Sequence, residues 1–188
     1  MDFFELLRKR RSIRHFEDKE VPLDLIKEVI NDSIKAPNAS NMQQWSFIII
    51  NDRELMKRLS DANKKSMVAS IDEDPNSPYK GYASVFRKKE HHVFYNAPCV
   101  IYVVGPAKAA YVREDCALFA AYFMLSATAR GLGTCWVAQG EEIKDAETRK
   151  EIGLTDDYKI VAPIVIGYPK SIPPMPKRME PKILKIVS

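Results

Sequence analysis

The sequence predicts an α+β fold in which helices outweigh strands, and three observations carry that prediction. Apolar residues recur at helical spacing, most clearly Leu25, Ile26, Val29, Ile30 and Ile34. Three compact apolar runs, SFIII, CVIYVV and KIVAPIVI, have the length of buried strands. The two kinds of segment follow one another in mixed order, with turn-rich stretches between them.

Residues 2 to 11 read as a first short helix and residues 23 to 35 as a second. The second stops at Ala36, since a residue that precedes proline avoids helical angles. A strand at 46 to 50 and a helix from about 52 to 66 come next. The polar stretch SIDEDPNSPYK, residues 70 to 80, predicts a mobile surface loop. A helix around 82 to 92 leads to a strand at 99 to 104. From about 110 to 130 the chain is alanine-rich and apolar nearly all round, which predicts a helix covered on most sides by the core or by a partner subunit. Strands at 134 to 138 and 159 to 166 then flank a helix over about 144 to 152. Five of the twelve prolines fall in the last twenty residues, so about 170 to 188 is expected to be an extended arm with no core of its own. Its end, KILKIV, carries apolar side chains that need a surface.

A chain of 188 residues is expected to form one domain, 1 to 188, and to bury about two thirds of the surface its unfolded form exposes. The net charge of +4, from 29 basic and 25 acidic residues, is too mild to imply nucleic acid. The apolar runs fall well short of the roughly 20 residues a membrane helix needs, and the N-terminal stretch does not read as a secretory signal. Cys99, Cys116 and Cys135 are odd in number and show no CxxC spacing, which argues against a disulfide framework or a zinc site and for a reducing cytoplasm. His91 and His92 are adjacent, without cysteine or carboxylate at metal spacing, so no metal site is expected.

Three stretches carry candidate chemistry. RKRRSIRHF, residues 8 to 16, holds Arg10, Arg11, Ser12 and Arg14; guanidinium forks bind phosphate oxygens in pairs, and a serine adds a neutral donor. The plain alternative is that cations gather at the negative end of the first helix. APNASNMQQW, residues 36 to 45, offers amides whose donor and acceptor edges suit a flat heterocycle, although such a loop is more often a turn with satisfied polar groups. In ARGLGTCWVA, Gly131 reads as a left-handed helix cap, while Gly133 would let backbone approach a planar ligand. Neither a complete dinucleotide fingerprint nor a GK[ST] phosphate loop is present, and no Ser/His/Asp or Cys/His arrangement marks a nucleophile.

Taken in order, these stretches resemble the nitroreductase family of FMN-dependent oxidoreductases. The matching segments are RRSIRHF at 10 to 16, APNASNMQQW at 36 to 45, APCV at 97 to 100, GLGTCW at 131 to 136, and IGYP followed by prolines and the pair Lys177 and Arg178. The resemblance spans almost the whole chain. It implies a nitroreductase-like α+β fold with a central mixed or antiparallel sheet flanked by helices. It also implies a homodimer, with FMN at the subunit interface and the C-terminal arm reaching over the partner. By the same resemblance Arg10, Arg11, Ser12 and Arg14 hold the FMN phosphate, helped by Lys177 or Arg178. Pro37, Asn38, Ala39, Ser40, Asn41 and Gln43 meet the flavin from the other subunit, and Gly131, Leu132, Gly133 and Thr134 lie beside its ring.

The implied activity is NADH- or NADPH-dependent reduction of a small acceptor, a nitroaromatic or quinone, in a ping-pong cycle. Flavin N5 carries the hydride and no protein residue acts as a covalent catalyst. Other reactions on the same scaffold are reductive dehalogenation and flavin breakdown, and a non-catalytic flavin-binding protein is a further alternative. The chain departs from the family pattern at Asn38, Ser40, Gln44 and the pair Ala121 and Tyr122, all of which bear on ring contacts and substrate preference.

Overall fold

The computed structural model describes residues 1–74, 76, 77 and 79–187. Ten regular elements follow in the order α1 (Phe3–Lys9), α2 (Leu23–Ser33), β1 (Ser46–Ile50), α3 (Arg53–Glu73), α4 (Ala83–Phe86), β2 (Cys99–Pro106), α5 (Val112–Ala129), β3 (Gly133–Trp136), α6 (Ala146–Glu151) and β4 (Tyr158–Gly167). The strands form one four-stranded sheet of order β1-β2-β4-β3, antiparallel at every pairing. This is the α+β class with an antiparallel sheet.

Side-chain alternation along the central strands divides the core in two. Ile101 and Val103 of β2 join Ile164 and Ile166 of β4 on the face covered by α5 and α2. Val100, Tyr102 and Val104, with Val165, point to the other face and pack with Met56 and Leu59 of α3. Because both faces are covered, β2 and β4 read as continuous apolar runs rather than alternating ones. Trp45 is 7% exposed and packs on Phe119 at 5.6 Å between ring centroids, so it is a core residue.

Several element boundaries differ from the sequence expectation for identifiable reasons. Helix α3 runs on to Glu73, into the expected loop at 70 to 80, because residues 53 to 73 contain neither glycine nor proline and Met67 is buried beneath it. Within that expected loop, Pro75 and Pro78 lie outside the described residues. The helix expected at 82 to 92 shrinks to a 3-10 turn and the four residues of α4. Burial of Val93 and Phe94 draws the chain into the core there, and the Val93 N–H donates to Ser60 Oγ of α3 at 2.9 Å.

Helix α5 is only partly covered. Phe119, Phe123 and Ala127 are fully buried, whereas Leu118 and Tyr122 remain exposed. Helix α1, capped by Asp2 on the Glu5 N–H, packs against α5 and leaves Phe3, Phe4 and Leu7 exposed. Residues 170 to 187 form neither helix nor strand and are exposed throughout. Among the described residues no helix is long and apolar enough to cross a membrane.

Burial holds the His92 pKa below its ordinary value, and its Nδ1 accepts the Phe94 N–H at 3.1 Å, a bond that needs the neutral ring. A histidine with a lowered folded-state pKa is protonated first in the unfolded chain. This contribution to stability is therefore fully present above the ordinary histidine value of about 6.5 and is lost as pH falls below it. The thermal midpoint should drop between about pH 7.5 and 5.5, a window set by the unperturbed histidine value. His92→Asn, which keeps an acceptor but no titrating proton, should reduce that drop. An unaltered drop in the variant would remove His92 from the account.

Candidate functional site

After Arg10 ends α1 in an extended conformation, the chain runs along the outer edge of β3. Ser12 forms a parallel bridge with Thr134, and the Ile13 N–H donates to the Thr134 carbonyl at 2.9 Å. Further on, Phe16 pairs with Pro169, and the Lys170 N–H donates to the His15 carbonyl at 2.9 Å. The N-terminal segment thus fastens onto the β3 end of the sheet and holds the root of the tail.

Between this segment and the tail lies a cleft of about 550 Å3. Arg10, Arg11, Ser12 and Arg14 line one side, and Pro173, Pro174, Met175, Pro176 and Arg178 line the other. Lys177 is exposed beside it. Among the described residues no carboxylate pairs with Arg10, Arg14 or Arg178, whereas Arg53, Arg58, Arg87 and Arg149 each have one and Arg130 has two. Three guanidinium groups without counter-charge around one cleft make a site for an anion.

Arg11 behaves differently from its neighbours. Its Nη1 donates to the carbonyls of Arg8 and Arg10, both at 2.7 Å, and so caps the end of α1. Its Nε is buried without a partner. The sequence alternative of cations gathering at the helix end therefore holds for Arg11. Arg14 points instead to Tyr95, its Nε 3.4 Å from the hydroxyl and its guanidinium 5.7 Å from the ring centroid. The hydrogen bond to that hydroxyl keeps the guanidinium above its ordinary pKa.

Directly behind Ser12 stand Gly131, Leu132, Gly133 and Thr134. Gly131, with φ of +75°, is the left-handed cap of α5. Gly133 answers to a different demand from the one its sequence context suggested: a Cβ there would meet Ile13 side-chain atoms at 2.7 to 2.9 Å. The close approach is made by the protein itself, and it seats the arginine segment against β3. Leu132 and Thr134 are buried, and the Thr134 Oγ1 has no hydrogen-bond partner. Burial pushes the Cys135 thiol up, partly countered by Arg14, and pushes Cys99 and Cys116 up to about 12, so none of the three is poised as a nucleophile. Among the described residues no cluster of three potential metal ligands occurs.

The loop with Pro37, Asn38, Ala39, Ser40, Asn41 and Gln43 does not reach this cleft. It leads into Ser46, which pairs with Val104 at the far end of β2, whereas the arginine segment sits by Thr134, level with Cys99. Five residue steps along β2, roughly 17 Å, separate the two ends. Ser40, Asn41 and Gln43 all have positive φ. Two bonds hold this unfavourable backbone: the Ala39 N–H donates to Asp115 Oδ1, and the Gln43 N–H to Asn38 Oδ1, each at 2.9 Å. Asp115, 2% exposed on the first turn of α5, and Tyr95 beside Arg14 were not marked by sequence. Each lies more than seventy residues from its partner, and no local pattern encodes such a pairing.

The chain is similar to known proteins along most of its length. The profile of the nitroreductase family matches residues 7–168. A protein of Archaeoglobus fulgidus with the provisional name NADH dehydrogenase/NAD(P)H nitroreductase is 23% identical over 171 residues, covering 88% of this chain and 84% of its own. An iodotyrosine deiodinase of Thermotoga neapolitana is 23% identical, with 94% of each chain covered. Among solved structures, a nitroreductase with bound FMN from Bacteroides fragilis superposes with a TM-score of 0.82 at 22% identity, over the full length of both chains.

Two substitutions test how the site is seated. Gly133→Ala should cost about 1–3 kcal/mol by overpacking against Ile13, and Ile13→Ala in the same chain should recover part of it. Urea unfolding of the single and double variants reads both, and strictly additive losses would mean the two residues do not press on each other. Asp115→Ala leaves the Ala39 N–H without its acceptor and should cost about 1–3 kcal/mol. Amide hydrogen exchange should then speed up in the 38 to 43 loop while β2 stays protected.

Proposed function

The chain belongs to the nitroreductase family, and from that premise we propose that it is an FMN-dependent oxidoreductase that passes two electrons from NADH or NADPH to a small acceptor such as a nitroaromatic or a quinone. The observation that carries this reading is the convergence of Arg10, Arg14 and Arg178, all without acidic partners among the described residues, on one cleft with Ser12. Such a set fits a phosphate monoester, which takes paired hydrogen bonds from guanidinium groups and a neutral one from a hydroxyl. The cleft volume of about 550 Å3 falls in the range of cofactor sites, roughly 300–1,000 Å3.

FMN, when bound, supplies the two-electron chemistry at its ring system. The chain's own residues bind and orient it. Arg10, Ser12 and Arg178, with Lys177 beside them, hold the phosphate, and the exposed prolines of the tail wall off one side. Arg14, kept charged and steered by Tyr95, would add positive charge to the same site, and positive charge near a bound flavin would favour its reduced anionic form.

A homodimer is part of the same reading. Exposed Phe3, Phe4, Leu118 and Tyr122 on α1 and α5, and Ile183, Leu184, Ile186 and Val187 on the tail, are surfaces a second copy would cover. The loop from Pro37 to Gln43 is at the wrong end of its own sheet to serve its own cleft, and a partner's loop would complete it. Three buried free thiols suit a reducing cytoplasm. Reductive dehalogenation is a second reading with specific support, since the deiodinase relative matches nearly end to end. Iodide release from 3-iodotyrosine would distinguish it.

Purified protein should show flavin absorption that bleaches on adding NADH or NADPH without oxygen. Bands that persist would instead indicate a flavin carrier, and no bands after reconstitution with FMN would end the reading. Arg10→Ala and Arg14→Ala should each weaken FMN binding by about 1.5–3 kcal/mol, or roughly 10- to 150-fold; unchanged affinity in both would remove the arginine grip. Truncation after Pro169 should lose flavin and loosen the dimer together, and a dimeric yellow truncation product would show the tail to be dispensable.

A further inference from the structure

Two segments of the chain are seated on Gly167, the last residue of β4. A Cβ there would meet Phe16 Cδ1 at 2.8 Å and Pro98 side-chain atoms at 2.7 and 2.9 Å, so both segments close on the same bare backbone. Phe16 belongs to the arginine segment and pairs with Pro169, while Pro98 leads into β2, whose first residue, Cys99, is in register with Ile166. The shared seat fixes the two segments against each other. Arg14 stands two residues before Phe16, and Tyr95 three before Pro98. Here the segments meet by side chain: the Arg14 Nε donates to the Tyr95 hydroxyl at 3.4 Å, and the guanidinium carbon lies over the Tyr95 ring, 5.7 Å from its centroid.

The backbone is unfavourable at this point. Tyr95 has φ of +55° and Asn96 φ of +51°, a region that asparagine tolerates and that is unusual for a bulky residue such as tyrosine. Neighbours hold it: Phe94 is fully buried, the Tyr95 N–H donates to the His92 carbonyl at 2.9 Å, and the Ala97 N–H to the Phe94 carbonyl at 3.0 Å. Glycine or asparagine at 95 would carry the same turn with less strain, so the turn does not account for the tyrosine. The ring packs on the apolar cluster that contains Phe94 and Tyr102, which accounts for an aromatic side chain but not for a hydroxyl. That hydroxyl has one hydrogen-bond partner among the described residues, Arg14.

Arg14 is exposed and lines the anion cleft. An exposed arginine has a wide choice of rotamers, and ordering one on binding costs affinity unless the side chain is held beforehand. Nε is the guanidinium nitrogen nearest the stem, and bonding it to Tyr95 restrains the plane of the fork. The two Nη groups have no protein partner among the described residues. We propose that Tyr95 is a positioning residue of the cleft, which orients Arg14 in advance so that its Nη donors are available to an anionic ligand, and which aids binding only through Arg14. The contact belongs to the protein alone; only the identity of the anion as FMN rests on the flavin reading above.

The test follows FMN release on dilution of the full-length, FMN-loaded protein, read by flavin fluorescence, in Tyr95→Phe, Arg14→Ala and the double variant. Tyr95→Phe keeps the ring and its packing and removes only the hydroxyl. It should weaken FMN binding roughly three- to tenfold, the scale of immobilising one long side chain. Once Arg14 is alanine, it should cause no further loss beyond about twofold. In 15N spectra the Arg14 Nε–H should exchange with solvent at least about threefold faster in Tyr95→Phe than in the wild type, a signature that altered ring packing would not give. Unchanged FMN affinity in Tyr95→Phe, an equal loss in both backgrounds, or an unaltered Nε–H exchange rate would overturn the proposal. If the wild type takes up no FMN, the flavin reading falls, and the same cycle is read with inorganic phosphate from the shift of the Ser12 amide. A loss on Tyr95→Phe that vanishes in the Arg14→Ala background then leaves Tyr95 in its role, whereas absent phosphate binding or equal losses overturn it as well.

Discussion

Ile13 lies where a Cβ on Gly133 would be, at 2.7 to 2.9 Å, and the rest of the molecule's chemistry is arranged around that contact. The missing side chain lets the segment after α1 settle onto β3 closely enough for Ser12 to bridge Thr134 and for Ile13 to bond its carbonyl. From there Arg10, Arg11 and Arg14 come to line the cleft. The same segment then pairs with Pro169 and Lys170, so the tail prolines and Arg178 come to the opposite wall. A single close approach at the sheet edge thus joins three stretches that are far apart in the chain.

The site is also where the molecule concentrates unfavourable terms. Unpaired guanidinium groups repel one another, and positive-φ residues cost on the order of 1–3 kcal/mol each. These features persist because the frame beneath them is strongly determined. Strands β2 and β4 are buried on both faces, and the aromatic stack of Trp45, Phe47, Phe119 and Phe123 fixes α5 to them. An anionic ligand that neutralises the cleft adds its binding free energy to the stability of the folded chain.

Tyr95 gives the architecture its functional sense. Its backbone, at φ of +55°, turns the ring so that the hydroxyl and the ring face meet Arg14. The apolar surface left on α1, α5 and the tail, and the Pro37 loop at the distant end of the sheet, make the isolated chain half of an assembly in the functional reading above.

The sequence by itself determined the α+β class, all four strands to within a few residues, the long helix and the structureless tail, because apolar periodicity and proline content report directly on local burial. It also singled out the residues that form the cleft, since a dense set of arginines beside a serine is a chemical signature visible without coordinates. Tertiary structure alone decided what each of them touches: Arg11 caps α1, Arg14 meets Tyr95, Gly133 makes room for Ile13, and Asp115 anchors the loop at Ala39. It also decided where α3 ends and that the chain after α4 dives into the core at Val93 and Phe94. The physical reason is the same in each case. Helix and strand patterns are written in neighbours a few positions apart, whereas these contacts join residues that only the packed sheet brings together.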